Sequence, residues 1–366
     1  MTKKVDLRPF LSCYKEFMSH TVKKGLLLIN LGTPDQPEPK QVKAYLKEFL
    51  MDPYVVDIPY LLRWLLVNAV ILQTRPKKSS EAYKKVWTTR GSPLLHHHLD
   101  LSSKVKKLLE KETHVIPAMR YGNPSIEKAL HEFAHEGITE LTIFPLYPQY
   151  SLAATETSLQ HALKLSQKIL PGAKIKMIRD FFDSPDFLNA FAETAREDLA
   201  KFNADYVLFS FHGLPERHVK KTDLSQAHCL MKEGCCDQIT EVNRNCYRAQ
   251  SFHTAHELAK RLGLPKEKYA VSFQSRLGRT PWIKPYTDEL YESLPKKGYK
   301  KIAVLCPAFV ADCLETLEEI AIRGREDFVK FGGEDLKLIP SLNSSDQWAA
   351  AVVALAAQAK SENHPA

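Results

Sequence analysis

His212 follows a short run of β-branched and aromatic residues, the pattern of a buried parallel strand, and Gly213 and Pro215 end that run at once. We therefore expect the imidazole at the carboxyl end of a strand, where the loops of open α/β sheets form a ligand-binding crevice. An imidazole there takes up a proton near neutral pH or coordinates a metal ion. The alternative is a histidine hydrogen-bonded within its own loop, so the choice depends on which other groups meet it.

Three carboxylates form a second group. Asp312, Glu315 and Glu319 are spaced i, i+3 and i+7, which places them on one face if this stretch is helical. A row of hard oxygen ligands can hold or relay a divalent cation. The alternative is a capping box from Asp312 to Glu315, since acidic residues suit a helix N-terminus.

The stretch 274–282, Gln-Ser-Arg-Leu-Gly-Arg-Thr-Pro-Trp, carries two arginines and an aromatic ring where another strand is predicted to end. Arginine binds carboxylates through two parallel hydrogen bonds, and Trp282 offers a flat apolar wall. Ordinary packing explains either feature taken separately.

Four of the seven cysteines, Cys229, Cys235, Cys236 and Cys246, lie close together after His212 with the spacing C-x5-C-C-x9-C. Four thiolates in a reducing compartment indicate either a tetrahedral zinc site or a [2Fe–2S] cluster. The spacing is not that of a plant-type ferredoxin, so free or redox-active thiols are a further alternative. The other three cysteines, Cys13, Cys306 and Cys313, are interpreted as ordinary thiols.

Strand-like runs alternate with helix-like periodicity along the chain, which is typical of parallel sheets with helices on both faces. We predict an α/β fold of two such sheets, divided near residue 170. The absence of a glycine-rich phosphate loop disfavours a nucleotide-binding enzyme. Strands are predicted at residues 25–32, 115–119, 140–146, 173–178, 205–211, 269–273, 301–307 and 337–340.

Met18 is an alternative start of the protein, which leaves open whether residues 1–17 are native. The predicted organisation has four parts. The parts are a basic N-terminal extension (1–24), an N-terminal α/β domain (25–170), a C-terminal α/β domain (171–345) containing the cysteine-rich insertion (219–248), and a C-terminal helix and tail (346–366).

Composition limits the functional class. The chain has 366 residues, 44% hydrophobic content and a formal net charge of +8. The positive charge favours anionic partners. It does not indicate nucleic acid, because the sequence has no basic motif with interleaved aromatic residues. The apolar run 60–72 is too short and too interrupted to span a bilayer. No signal peptide is recognised, so we expect a cytoplasmic protein with reduced thiols.

Together these motifs resemble those of the ferrochelatase family. The resemblance runs from residue 25 to residue 343, and several unrelated motifs agree in the same order. The matching segments are 30–34 (Asn-Leu-Gly-Thr-Pro), 91–94, 119–124, 146–151, 210–215 (Ser-Phe-His-Gly-Leu-Pro), 274–282, 306–319 and 341–343 (Ser-Leu-Asn).

The resemblance implies two Rossmann-like domains of the class II chelatase type. It also implies a lyase that inserts Fe²⁺ into protoporphyrin IX, giving protohaem in the last step of haem biosynthesis. By this resemblance His212 removes pyrrole protons or helps to hold the iron substrate. Glu315 faces the same metal site, and Glu319 continues an acidic path along its helix.

Porphyrin contacts are implied in the same way. Arg120 would meet a propionate, Tyr121 would lie near the ring and Trp282 would form a wall. The run 60–72 corresponds to the lip of the pocket, which in this family can rest on a membrane, so peripheral contact with the inner membrane surface is expected. Iron enters already ferrous, so insertion needs no added redox cofactor.

The insertion resembles that of some bacterial ferrochelatases, which carry a [2Fe–2S] cluster on four internal cysteines. This favours the cluster, with zinc second, and leaves stability, iron sensing and redox sensing open as its purpose. One departure is Cys313, where many relatives have histidine. The rival functions are a coproporphyrin ferrochelatase, a cobalt chelatase, and a non-catalytic porphyrin or haem carrier.

Overall fold

The computed structural model describes residues 22–109, 112–278 and 280–361. Most of the predicted N-terminal extension, including Cys13, lies outside the described residues, and so does Arg279. The described residues form nine strands: β1 (Lys24–Thr33), β2 (Thr113–Gly122), β3 (Glu140–Pro145), β4 (Lys174–Met177), β5 (Tyr206–His212), β6 (Tyr269–Gln274), β7 (Lys301–Leu305), β8 (Asp335–Leu338) and β9 (Lys360–Ser361).

The first sheet has the order β2-β1-β3-β4-β9, and its first four strands are parallel. All four were predicted from the sequence, whereas the two-residue β9, which pairs antiparallel to β4, was not. Because β4 pairs with β3, the division predicted near residue 170 is too early. Strand β4 belongs to the first sheet, and periodicity cannot reveal which sheet a strand joins.

The second sheet is parallel throughout, with the order β6-β5-β7-β8, and all four of its strands were predicted. Strand β5 lies inside the sheet between β6 and β7. The register pairs His212 with Gln274 at the carboxyl edge. The predicted α/β fold with two parallel sheets is therefore confirmed.

Helices connect the strands. They are α1 (Pro39–Leu50), α2 (Tyr60–Leu65), α3 (Leu72–Val86), α4 (Pro93–Leu108), α5 (Ile126–His135), α6 (Thr157–Ile169), α7 (Pro185–Phe202), α8 (Glu216–Lys220), α9 (Tyr247–Leu262), α10 (Thr287–Lys296), α11 (Leu314–Thr316), α12 (Arg325–Lys330) and α13 (Asp346–Ala357).

The sequence pattern predicts a helix over 251–262, whereas α9 begins four residues earlier, at Tyr247. Ser251 resembles an N-cap residue in the sequence, but its hydroxyl donates to the carbonyl oxygen of Tyr247 inside the helix. The helix therefore starts directly after Cys246.

The acidic segment is not a regular α-helix. The single turn α11 continues as a π-helix, Leu317–Gly324, and then as α12. The N-cap is Cys313, which forms the capping box with Thr316, so the alternative of a box from Asp312 to Glu315 is wrong. π-Helical turns occur frequently at functional sites because they change which side chains share a face.

The C-terminal helix α13 ties the two sheets together. It packs against α4, which covers the first sheet, and against α7, which leads into the second. Trp348 is completely buried there and stacks on Phe181. This packing holds the carboxyl edges of the two sheets around a common space.

Candidate active site

A cavity lies between the carboxyl edges of β1 and β5. It contains about 1090 Å³ of free space, counting the part open to solvent. Apolar and aromatic side chains predominate in its lining, among them Leu31, Phe49, Leu94, Leu146, Tyr147, Leu214, Phe309, Val310 and Leu314.

His212 enters this cavity from the end of β5, as predicted. Its Nδ1 donates to the carbonyl oxygen of Gly213 at 2.6 Å, since a carbonyl can only accept. The neutral ring therefore presents Nε2 as its basic atom. A side chain at position 213 would place its Cβ 2.7 Å from the Gln274 carbonyl oxygen, so this turn requires glycine.

Glu315 lines the same cavity. Its carbonyl oxygen accepts a hydrogen bond of 2.7 Å from Nε2 of Gln274, the register partner of His212. The buried Cys313 thiol lies beside it, and burial followed by the negative charge of Glu315 raises the pKa of that thiol. The fold thus brings His212 and Glu315 together, although they lie on different strand exits.

Glu319 stands behind this pair. Ser275 donates to its carboxylate twice, from the backbone nitrogen at 2.8 Å and from the hydroxyl at 2.6 Å. Burial raises the pKa of Glu319, and the Ser275 hydrogen bond and the charge of His212 oppose that rise. Ser275 has a φ of 65°, a left-handed conformation that is unfavourable for residues other than glycine. The surrounding structure must therefore hold Ser275 in the conformation that binds Glu319.

Asp312 does not join the other two carboxylates. One carboxylate oxygen accepts from the Thr316 hydroxyl at 3.0 Å and the other from the Asn343 amide at 2.8 Å. Asp312 therefore connects two loops. Of the three carboxylates predicted to share one face, only Glu315 and Glu319 remain near His212.

Arg120 and Tyr121 do not line the cavity. Arg120 forms an ion pair of 2.5 Å with the buried Asp52, and the Tyr121 hydroxyl donates to the same carboxylate oxygen at 2.9 Å. Thr157 donates to that oxygen as well, at 2.6 Å. Arg120 is therefore engaged by Asp52, which differs from the propionate contact expected from the sequence.

Trp282 does not line the cavity either. It pairs with Pro215 across an isolated bridge and donates from its indole nitrogen to the Leu277 carbonyl oxygen at 2.9 Å. Its ring also lies against Gly213. In this structure Trp282 supports the loop that follows His212.

Three buried tyrosines in the cavity wall were not recognised as site residues. Burial raises the pKa of the Tyr83 and Tyr45 phenols well above the ordinary value. Tyr147 lines the wall beside them. Hydrophobic periodicity predicts Tyr45 on the buried face of its helix, but it does not show that the side chain also lines a cavity.

Comparison with known proteins identifies the family. The family model for ferrochelatase matches residues 23–360. The chain belongs to the ferrochelatase family.

Curated relatives with this name cover almost the whole chain. The ferrochelatase of Coxiella burnetii (strain RSA 493 / Nine Mile phase I) is 46% identical over 91% of this chain and 93% of its own. Those of Stutzerimonas stutzeri (strain A1501) and Legionella pneumophila (strain Corby) are 45% and 46% identical over 92% and 90% of this chain, and 98% of each relative is covered. The protein is accordingly a lyase that inserts ferrous iron into a porphyrin to form protohaem.

A solved structure agrees on the fold alone. The sirohydrochlorin chelatase SirB of Bacillus subtilis subspecies spizizenii, in complex with cobalt, superposes with a TM-score of 0.52 at 8% identity, covering 92% of this chain and 95% of that one. The chelatase-type arrangement of two sheets predicted for a ferrochelatase is thereby supported.

The segment predicted to form the lip, residues 60–72, carries several exposed apolar side chains. It comprises α2 and the π-helical segment Leu66–Ile71, and the exposed fractions of Tyr60, Leu61 and Val70 are 65%, 67% and 60%. No helix within the described ranges is long and apolar enough to cross a membrane.

The four cysteines of the insertion are all buried and form a chain of contacts. Sγ of Cys235 and Sγ of Cys236 are 3.8 Å apart, and the thiols of Cys229 and Cys236 neighbour that of Cys246 and influence its pKa. The contact with Cys229 raises the pKa of Cys246 to about 12. Across residues 22–109, 112–278 and 280–361, no three His, Cys, Asp or Glu side chains already have the geometry of a metal site.

Polar anchors order the loop around these thiols. Asp223 accepts from the backbone nitrogens of His228 and Cys229 at 2.8 and 2.7 Å. The Asn243 amide donates to the Cys235 carbonyl oxygen at 2.9 Å. The insertion therefore has a defined conformation around its four sulfur atoms.

Proposed function

We propose that Fe²⁺ enters protoporphyrin IX in the cavity between the two sheets, with His212 as the base. The observation that carries this proposal is the meeting of His212 and Glu315 on a cavity whose other walls are apolar and aromatic. A flat apolar ring fits such walls, and aromatic side chains contact ring faces favourably.

Iron insertion replaces two pyrrole N–H bonds with iron–nitrogen bonds, so two protons leave the ring centre. Nε2 of His212 is free to accept a proton, because Nδ1 is held by the Gly213 carbonyl oxygen. The carboxylates of Glu315 and Glu319 offer the second proton a path away from the ring. Glu315 also supplies a hard oxygen ligand for the entering ferrous ion.

The porphyrin preference tests this proposal. Anaerobic turnover of Fe²⁺ with protoporphyrin IX and with coproporphyrin should show a kcat/KM at least about tenfold higher for protoporphyrin IX, because an apolar wall penalises an unpaired extra carboxylate. Faster turnover of coproporphyrin would contradict it. Tight porphyrin binding without insertion would instead identify a carrier.

The exposed lip supports a second proposal, contact with an anionic membrane surface at the inner membrane. Apolar side chains that lie in the interface plane bind lipid, and the net charge of +8 adds attraction to anionic headgroups. Val67 and Leu72 of the lip pack in one apolar cluster with the cavity residues Tyr45 and Tyr83, so this contact would bring the bilayer close to the porphyrin site.

Flotation with phosphatidylglycerol vesicles tests this contact. The wild-type protein should float, and Leu61→Asp should lower the partition coefficient about tenfold or more through loss of one buried leucine. Val329→Asp is the matched control, since Val329 is also exposed but lies outside the lip. Equal flotation of Leu61→Asp and wild type would contradict membrane contact.

The four thiols of the insertion support a third proposal, a resident [2Fe–2S] cluster held by Cys229, Cys235, Cys236 and Cys246, with zinc as the alternative. The donor set fits, because four buried sulfur atoms lie in one ordered loop. Nη1 of Arg248 donates to the Cys236 sulfur at 3.0 Å and would offset part of the thiolate charge. Such a cluster supplies one-electron redox chemistry and cross-links the insertion.

A further inference from the structure

Three basic side chains surround the carboxylate of Asp57 near the active site. Its side chain is only 11% exposed, and its carboxylate accepts hydrogen bonds from Nε of Arg217 at 2.7 Å and from Nζ of Lys221 at 2.6 Å. Nε2 of His218 lies 3.3 Å from the same carboxylate. Burial alone would raise the pKa of Asp57, but these hydrogen bonds outweigh it and keep the carboxyl ionised.

The backbone on both sides of Asp57 is bound by the lip. Arg63 in α2 is itself buried, and its Nη1 donates to the carbonyl oxygens of Val56 and Ile58, each at 3.1 Å. The segment 56–58 thus connects the lip helix α2 to Arg217 and Lys221, the partners of Asp57.

The partners of Asp57 lie on or directly after α8, which follows the His212 loop. Only residues 213–215 separate β5 from this helix. Further along, the same segment reaches Asp223, the residue that orders the backbone at Cys229. The lip packs against the cavity residues Tyr45 and Tyr83 through Val67 and Leu72, so Asp57 links this side of the cavity to the wall that carries His212.

We propose that Asp57 is a positioning residue that sets the spacing between these two walls for porphyrin binding. The inference rests on the cavity being the porphyrin site. Because the carboxylate contacts neither His212 nor the cavity lining, it acts through Arg217 and Lys221. A porphyrin gains contacts on both of its faces only when the two walls are held at the right separation. Weakening the Asp57 ion pairs therefore lowers the fraction of protein molecules that can bind porphyrin, and the apparent dissociation constant rises.

Asp57→Asn should raise the KM for porphyrin about tenfold, since a charge-assisted hydrogen bond is lost, and should leave kcat and the KM for Fe²⁺ within about twofold. Arg217→Met should do the same. The double variant should be no worse than either single variant, because both remove one shared interaction. Lys221→Arg should retain the wild-type KM.

Glu216→Gln is the matched control, since it removes an exposed ion pair with Lys220 on the same helix without touching Asp57. If Asp57→Asn fails to fold, Lys221→Met carries the test, because that side chain is 53% exposed. An unchanged porphyrin KM, additive effects in the double variant, or an equal rise in the iron KM would overturn the proposal. Failure of the wild-type protein to bind porphyrin would overturn the porphyrin site itself.

Discussion

His212→Ala is expected to lower kcat for Fe²⁺ insertion by about 100- to 10,000-fold, the range for loss of a general base. Nε2 of His212 is the imidazole nitrogen left free at the cavity, so its removal leaves the first pyrrole proton without a nitrogen acceptor at that position. The porphyrin dissociation constant should change little, because the aromatic walls remain. The fold should be retained, because the side chain makes its polar contact within its own loop.

The measurement is anaerobic single-turnover insertion combined with porphyrin fluorescence quenching. His135→Ala is the control, since that side chain is 89% exposed on a surface helix. Near-normal turnover of His212→Ala would exclude His212 as the base. A large loss of porphyrin affinity with unchanged single-turnover rate would give it a binding role instead.

Cys236→Ser is expected to abolish the visible absorption of a [2Fe–2S] cluster and its bound sulfide. Cys236 is the central thiol, in contact with both Cys235 and Cys246 and with the guanidinium of Arg248. A serine hydroxyl is a harder and less acidic ligand than a thiol, so the cluster would lose one of its four attachments.

Iron and sulfide assays with optical and electron paramagnetic resonance spectra of anaerobically purified protein test this expectation. Cys306→Ser is the matched control, because Cys306 is also buried but follows β7, away from the insertion. A colourless wild-type protein that contains zinc would contradict the cluster and retain the thiol site. Unchanged spectra in Cys236→Ser would remove this residue from the ligand set.

The local features of the fold could be predicted from the sequence. Alternation of β-branched runs with amphipathic stretches placed all eight parallel strands, and the Gly213 and Pro215 breaks placed His212 at a strand end. The start of α9 and the π-helical form of the acidic segment could not be predicted, because an N-cap and a π-helical turn depend on hydrogen bonds that residue types alone do not specify.

The family, the strands and the position of His212 could be read from the sequence, because motif order and hydrophobic period are properties of neighbouring residues. That Ser275 holds Glu319, that Arg120 is engaged by Asp52 and that Asp57 joins the lip to α8 depends on tertiary contacts. Asp57 and Arg217 are separated by 160 positions along the chain. Such pairs form because each buried charge must find a partner within the packed fold, and hydrophobic periodicity does not record which distant residue that partner will be.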